Sequence, residues 1–369
     1  MKTISHLFGR RWQKTIAALF MLGIALGTLP PEVKAQTTTV NILSPGSNPY
    51  VIAPGSGDYI IQGFGTQTAN RINVQSGYEG TITLDNVKIL SPVHYAPIRI
   101  FGQYDGDNEN PVTKVNLILK GDNNLDSGGN GTQSVAAALQ VHQGAQISIS
   151  AIDPANNASG NLYARTRYNQ DNVAGAAGIG GPCVRNLSGN YADYCDGGPD
   201  GIYTGNYMYQ GTQLKASNYK GYDRATSGGN ILISSGTIHA QGGSCGAGIG
   251  GGGWGALYLG NIVITGGDIT AIGGTHSPGI GGGCVDGEAN NGSYAPNSCV
   301  IAVPPAKITA YDAYGKKGLS GANYIVYIGD PQSPQFTVYT EDYRATTMYL
   351  DLSGDPDVKR KLNQFAPTR

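Results

Sequence analysis

Carboxylates and aromatic rings crowd a few short stretches of this chain. Asp105, Asp107 and Glu109 alternate with Gly106 and Asn108. Alternating oxygen donors suit Ca²⁺, a hard cation that takes carboxylate, amide and water oxygens. The run lacks the remainder of an EF-hand loop, so a solvated turn is the competing reading. Ca²⁺ is the one cofactor for which the sequence offers ligands. A second group joins Asp193, Asp196 and Asp200 to Tyr191, Tyr194, Tyr203, Tyr207 and Tyr209. A third places Trp254 and Tyr258 after the glycines 250–253, with Asp286 and Glu288 further on. Flat rings beside acids are the usual material of sugar binding: the ring covers the apolar side of a pyranose and the acids accept its hydroxyl hydrogens. Tyr194, Tyr203, Tyr207 and Trp254 are therefore the candidate stacking residues, and Asp193, Asp196 and Asp286 the candidate acceptors. The competing reading is that these rings seal their loops against the scaffold.

Other chemistry finds less support. The glycine-rich run at 246–253 lacks the Lys-Ser/Thr and the following helix that a phosphate-cradling loop needs. His239 and His276 lie among small residues, a setting for packing more than for metal ligation. No Cys-x-x-Cys pair exists, which argues against a zinc site.

The elements that must position these residues are set by a repeat. Residues 229–252 read GNILISSGTIHAQGGSCGAGIGGG, and residues 260–283 read GNIVITGGDITAIGGTHSPGIGGG. Ile231 and Ile262, Ile238 and Ile269, and Ile249 and Ile280 are each 31 residues apart. A fixed period of this size marks units that bury their apolar faces only by stacking. Within each unit, apolar residues alternate with polar or small ones, which is strand periodicity. Glycines bound the runs and allow sharp turns. Three short strands joined by turns make one coil of a parallel β-helix. The expectation is an all-β solenoid in which the three Ile pairs lie one above the other. Asp268 is the only carboxylate in the two clean coils.

Further strand-like runs occur at 40–43, 59–62, 71–74, 81–84, 98–101, 115–119, 137–141 and 146–149. After the repeat they continue at 300–303, 307–310, 324–328, 335–339 and 347–350. Residues 121–124 (GDNN) and 126–130 (DSGGN) read as turns. The GIGG element also occurs at 178–181, but the next Ile of the pattern, Ile231, comes 52 residues after Ile179 instead of 13. Residues 182–227 are thus an insertion projecting from one corner. A loop so long is expected to carry a hairpin of its own. Residues from about 330 to 369 read as a C-terminal cap over the last open rung.

Charge and composition bound the partners. Lys2, Arg10, Arg11 and Lys14 precede an apolar run from Ile16 to Leu29, and a small residue follows at Ala35. This is the layout of a secretory signal over residues 1–35. Residues 36–369 then form a single domain. Its 19 Lys and Arg stand against 24 Asp and Glu, a net charge of −5. Such a surface repels phosphates, so nucleic acid is not an expected partner. No second apolar segment is long enough to span a membrane, which leaves a secreted, cell-surface or periplasmic protein. Export permits disulfides. Cys183 and Cys284 each lie four residues after the Ile of a GIGG motif, and Cys195 and Cys299 follow 12 and 15 residues later. Equivalent positions suggest the pairs Cys183–Cys195 and Cys284–Cys299, with Cys245 left as a buried, unpaired thiol.

The succession VNLILKGDNNL (115–125), AALQVHQGAQISISA (137–151), GNLYA (160–164) and then GIGG resembles bacterial secreted or surface β-helix proteins with repeated GAGIGGG motifs. These proteins are described as pectin-lyase-like or as carrying a carbohydrate-binding domain. The resemblance implies a right-handed parallel β-helix, extracellular placement and contact with a glycan or a cell-surface polysaccharide. The catalytic stations of the polygalacturonase type (N-x-D, D-D, G-H-G and R-I-K in order) are absent. The expected function is therefore non-enzymatic glycan binding or adhesion. A polysaccharide lyase or glycoside hydrolase using loop carboxylates is one alternative, and a structural matrix or envelope protein is another.

Overall fold

The computed structural model describes residues 36–92, 95–102, 110–128, 136–167, 175–183, 228–253, 260–275, 277–283 and 306–313. It also gives the backbone of strands at 208–209, 212–213, 295–302, 319–320, 322–327 and 336–338. The chain divides into the units Met1–Gln36 and Thr37–Arg369. Almost all regular structure is β. One short 3₁₀ turn, Asn157–Ser159, is the only helical element among the described residues. No helix among them is long and apolar enough to cross a membrane.

Apolar alternation along each run buries one face, and the strands stack in parallel to cover it. A 16-stranded sheet has two wings joined by the long strand Thr113–Ser127, and a separate 8-stranded sheet holds shorter strands. The chain visits the three surfaces in turn. Asn230–Ile233 lies in the first wing, Thr237–Gln241 in the second, and Ile249–Gly250 in the 8-stranded sheet. The circuit then repeats with Ile262–Ile264, Asp268–Ile272 and Ile280–Gly281. The 31-residue offset is realised in the register: Ile231 faces Ile262, Ile238 faces Ile269, and Ile249 faces Ile280, all in parallel pairs.

The interior is a set of aliphatic columns. One runs Ile82, Leu117, Ile149, Ile233 and Ile264. Another runs Leu162, Ile238, Ile269 and Ile308. A third runs Ile72, Ile98, Leu139, Ile179, Ile249 and Ile280. All these residues are buried. Each isoleucine removed from water stabilises the stack by about 1.5–3 kcal/mol. Polar ladders accompany the columns. Asn261 donates through its backbone N–H (2.9 Å) and its Nδ2 (3.2 Å) to Oδ1 of Asn230, and the Ser244 and Thr275 hydroxyls pair at 2.8 Å. Both ladders keep the 31-residue spacing, which accounts for the repeated Gly-Asn-Ile.

The GIGG motif has a backbone reason. Gly180, Gly250 and Gly281 form one column with φ of +131°, +135° and +138°. A Cβ on Gly250 would collide with the carbonyl oxygen of Gly281. Only glycine combines this conformation with so close an approach.

Two expectations are corrected. Residues 121–124 are not a turn. They bend the strand Thr113–Ser127 at Gly121 (φ +65°) and carry it from one wing into the other. Asn123 sits at the corner, buried, and its Oδ1 accepts from the Val87 N–H at 2.9 Å. Its Nδ2 donates to the Asn161 carbonyl at 3.2 Å. The side chain satisfies backbone groups that a turn would have exposed. The second correction is Cys245, which is disulfide-bonded and not left over. It is fully buried, and a Cβ at Gly253 would sit 2.5 Å from its own. Glycine at 253 makes room for this side chain. Cys183 is buried; Cys195 and Cys284 lie outside the described residues, and only the backbone of Cys299 is described. The insertion does carry a hairpin: Met208–Tyr209 pairs antiparallel with Thr212–Gln213.

Candidate functional site

The second wing presents rows of outward side chains, because alternate residues of each strand point away from the core. One row runs Lys88, Asn124, Tyr163, His239, Thr270 and Thr309. A parallel row runs Asp126, Arg165, Gln241, Ile272 and Tyr311, and another runs Asp122, Asn161, Thr237, Asp268 and Lys307. Stacking of near-identical circuits turns single residues into lines of side chains roughly 4.8 Å apart.

Tyr163 and His239 stack with ring centroids 4.6 Å apart and planes within 10°. Both are half-buried. Burial holds the His239 imidazole below the usual histidine range, and the nearby Arg165 cation adds to that shift. The ring is thus neutral at neutral pH. Beside it, Asp126 is 7% exposed and gathers two guanidinium groups. Arg167 approaches side-on, donating Nε to Oδ1 and Nη2 to Oδ2, both at 2.9 Å. Arg165 gives Oδ2 one nitrogen, and its own carbon lies 5.7 Å from the Tyr163 ring centroid. The hydrogen bonds to Asp126 hold the Arg167 guanidinium above its ordinary range. Two cations against one carboxylate leave a local charge of +1 at a rigid, half-exposed patch. Rigid rings and pre-oriented donors bind with little side-chain ordering cost.

A second cluster lies on the outward face of the 8-stranded sheet. Arg99 is 2% exposed and lies over Phe101 at 5.2 Å, Phe101 stacks on His142 at 5.3 Å, and Gln140 meets His142 at 2.8 Å. Burial makes this cluster part of the packing and removes it from contact with a ligand.

Comparison with protein-family models, with curated proteins and with solved structures finds no match.

The site anticipated in the loops is a separate matter. Tyr194, Tyr203, Tyr207, Trp254, Asp193, Asp196 and Asp286 all lie outside the described residues, as do Asp105, Asp107 and Glu109. Among the described residues no cluster of His, Cys, Asp and Glu is arranged to hold a metal. His239 is placed with Tyr163, a contact the sequence reading missed. A signal for it existed: GNLYA at 160–164 aligns with GTIHA at 236–240, which sets Leu162 on Ile238 and Tyr163 on His239. Arg165 and Asp126 follow from the same alternation, two positions along.

Proposed function

We propose that the chain is an exported right-handed parallel β-helix that binds glycan along the outward face of its second wing. The observation that carries this reading is the stacked, half-exposed Tyr163–His239 pair beside the Arg165–Asp126–Arg167 cluster. Rings supply apolar contact for a sugar's C–H face, and the guanidinium, amide and hydroxyl groups of the flanking rows suit its hydroxyls. The role is non-enzymatic. The one buried carboxylate of the patch, Asp126, takes three hydrogen bonds from two arginines, which is the arrangement of a structural anion. Export and surface or extracellular placement are supported by the basic-then-apolar N-terminus.

A glycan array probed with the secreted protein tests this, run beside lyase and reducing-sugar assays. Binding without turnover is expected, and Tyr163→Ala should weaken it by about 1–3 kcal/mol while the chain stays folded. Unchanged binding in Tyr163→Ala together with loss in Trp254→Ala would move the site to the loops. No binding to any glycan would leave a structural matrix or envelope role, and turnover would restore the lyase or hydrolase reading.

A further inference from the structure

The Tyr163–His239 stack stops at His239. The two rings belong to register partners on neighbouring strands, and their centroid separation of 4.6 Å is close to the strand spacing of about 4.8 Å. Their normals therefore run from strand to strand, so each ring turns one face along the stack. One face of His239 is covered by Tyr163. The other looks toward the next strand, Asp268–Ile272, where the partner position holds Thr270, and beyond it Thr309. Among the described residues, His239 makes no other ring contact. Thr270 and Thr309 are short and half-exposed, so the row drops from two rings to two small side chains. The drop is a step with an imidazole wall and a hydroxyl floor.

Its flanks differ in character. On one side stand Ile272 and Tyr311, both half-exposed. On the other stand Asp268 and Lys307, register partners and both exposed. A flat ring seated on the wall would meet an apolar rail along one edge and an acceptor and a donor along the other. An aromatic face carries partial negative charge and no hydrogen-bonding atom, so it favours the polarised C–H groups of a sugar's apolar side. A pyranose with all hydroxyls equatorial offers such a side.

We infer that one all-equatorial hexopyranose unit of the bound glycan, as in a β-1,4-glucan, takes the next rung of this stack. It packs on the free face of His239 above Thr270 and Thr309, and Asp268 and Lys307 bind its hydroxyls. This subsite rests on the glycan-binding reading and gives it a position and a sugar class. A neutral imidazole favours it, because a charged ring would demand water at the face the sugar covers.

Titration with cellotetraose, followed by calorimetry and by the imidazole C–H signals of His239, tests the inference. The wild type should bind and the His239 signals should move. Thr270→Tyr should fold, since it extends the ring stack outside the core, and should lose roughly tenfold or more in affinity because its own ring fills the rung. Ser148→Tyr, which adds a ring at an outward position beside Ile149 on the first wing, should bind as the wild type does, which separates occlusion of the step from damage to the fold by an added ring. Equal binding by Thr270→Tyr, or unmoved His239 signals during binding, would overturn the subsite and leave glycan binding elsewhere on the chain intact. Binding of other glycans on the array without cellotetraose would overturn the sugar class. Absence of any glycan binding would overturn both the function and the subsite.

Discussion

His239 shows how one side chain takes its properties from three strands. Its own strand supplies Thr237 and Gln241, the preceding one Asn161, Tyr163 and Arg165, and the following one Asp268, Thr270 and Ile272. Burial comes first among the causes of its lowered pKa, and the Arg165 cation second. Asp268 is exposed on the far flank and opposes the effect only weakly through water. The sign follows from linkage. Between the lowered folded value and the ordinary one near ~6.5, the unfolded chain binds more protons at this site than the folded one. The stabilising contribution is therefore complete above the ordinary value and declines as pH falls below it. NMR titration should place the His239 midpoint below the ordinary histidine value. Arg165→Gln should raise that midpoint part of the way, since burial remains. A midpoint at or above the ordinary value in the wild type would contradict this account.

At the scale of elements, the strands are short and draw their stability from the columns they enter. Ile269 is fully buried between Ile238 and Ile308. Ile269→Asn removes that contact and strands an amide where no partner exists. A loss of at least about 3 kcal/mol is expected, seen as a lower melting temperature and urea midpoint. Thr270→Asn, one residue on and facing outward, should change little. Equal behaviour of the two variants would show that the alternation is misassigned. The bend at Gly121 belongs to this scale as well. One 15-residue strand serves both wings because Gly121 turns it and Asn123 satisfies the backbone around the corner.

At the scale of the whole molecule, stacking brings together residues that are remote along the chain. Asp126 and Arg167 are 41 positions apart, and Tyr163 and His239 are 76. Cross-links between circuits matter more here than in a globular core, because each circuit touches only its neighbours. Cys245 carries a disulfide. A Cβ at Gly283 would lie 2.8 Å from the Cys245 carbonyl oxygen, which makes the next residue in sequence, Cys284, the expected partner. Peptide mapping without reductant should recover a Cys245–Cys284 cross-link. Recovery of Cys284 joined to Cys299 would exclude it, and Cys245 recovered as a thiol would remove the link altogether. Pairing by equivalent loop positions gives Cys284–Cys299 instead, and the same peptide map distinguishes the two.

The sequence by itself determined the parallel stacking and its register. A 31-residue period with two-residue alternation leaves each Ile one place to be buried, over its copy in the next circuit. It also determined the glycine columns, whose φ and close approach no other residue tolerates. Local composition misled at residues 121–124, where Gly, Asp and Asn spell a turn but long-range hydrogen bonds keep an extended strand. The candidate site was only half legible. The alternation in GNLYART fixes which residues face outward. Their neighbours across the sheet depend on aligning circuits separated by an insertion of irregular length. The tertiary structure fixed that alignment: the burial of Leu162 on Ile238 sets the register that carries Tyr163 to His239, and the pairing of Ala164 with Leu125 sets the one that carries Arg165 to Asp126.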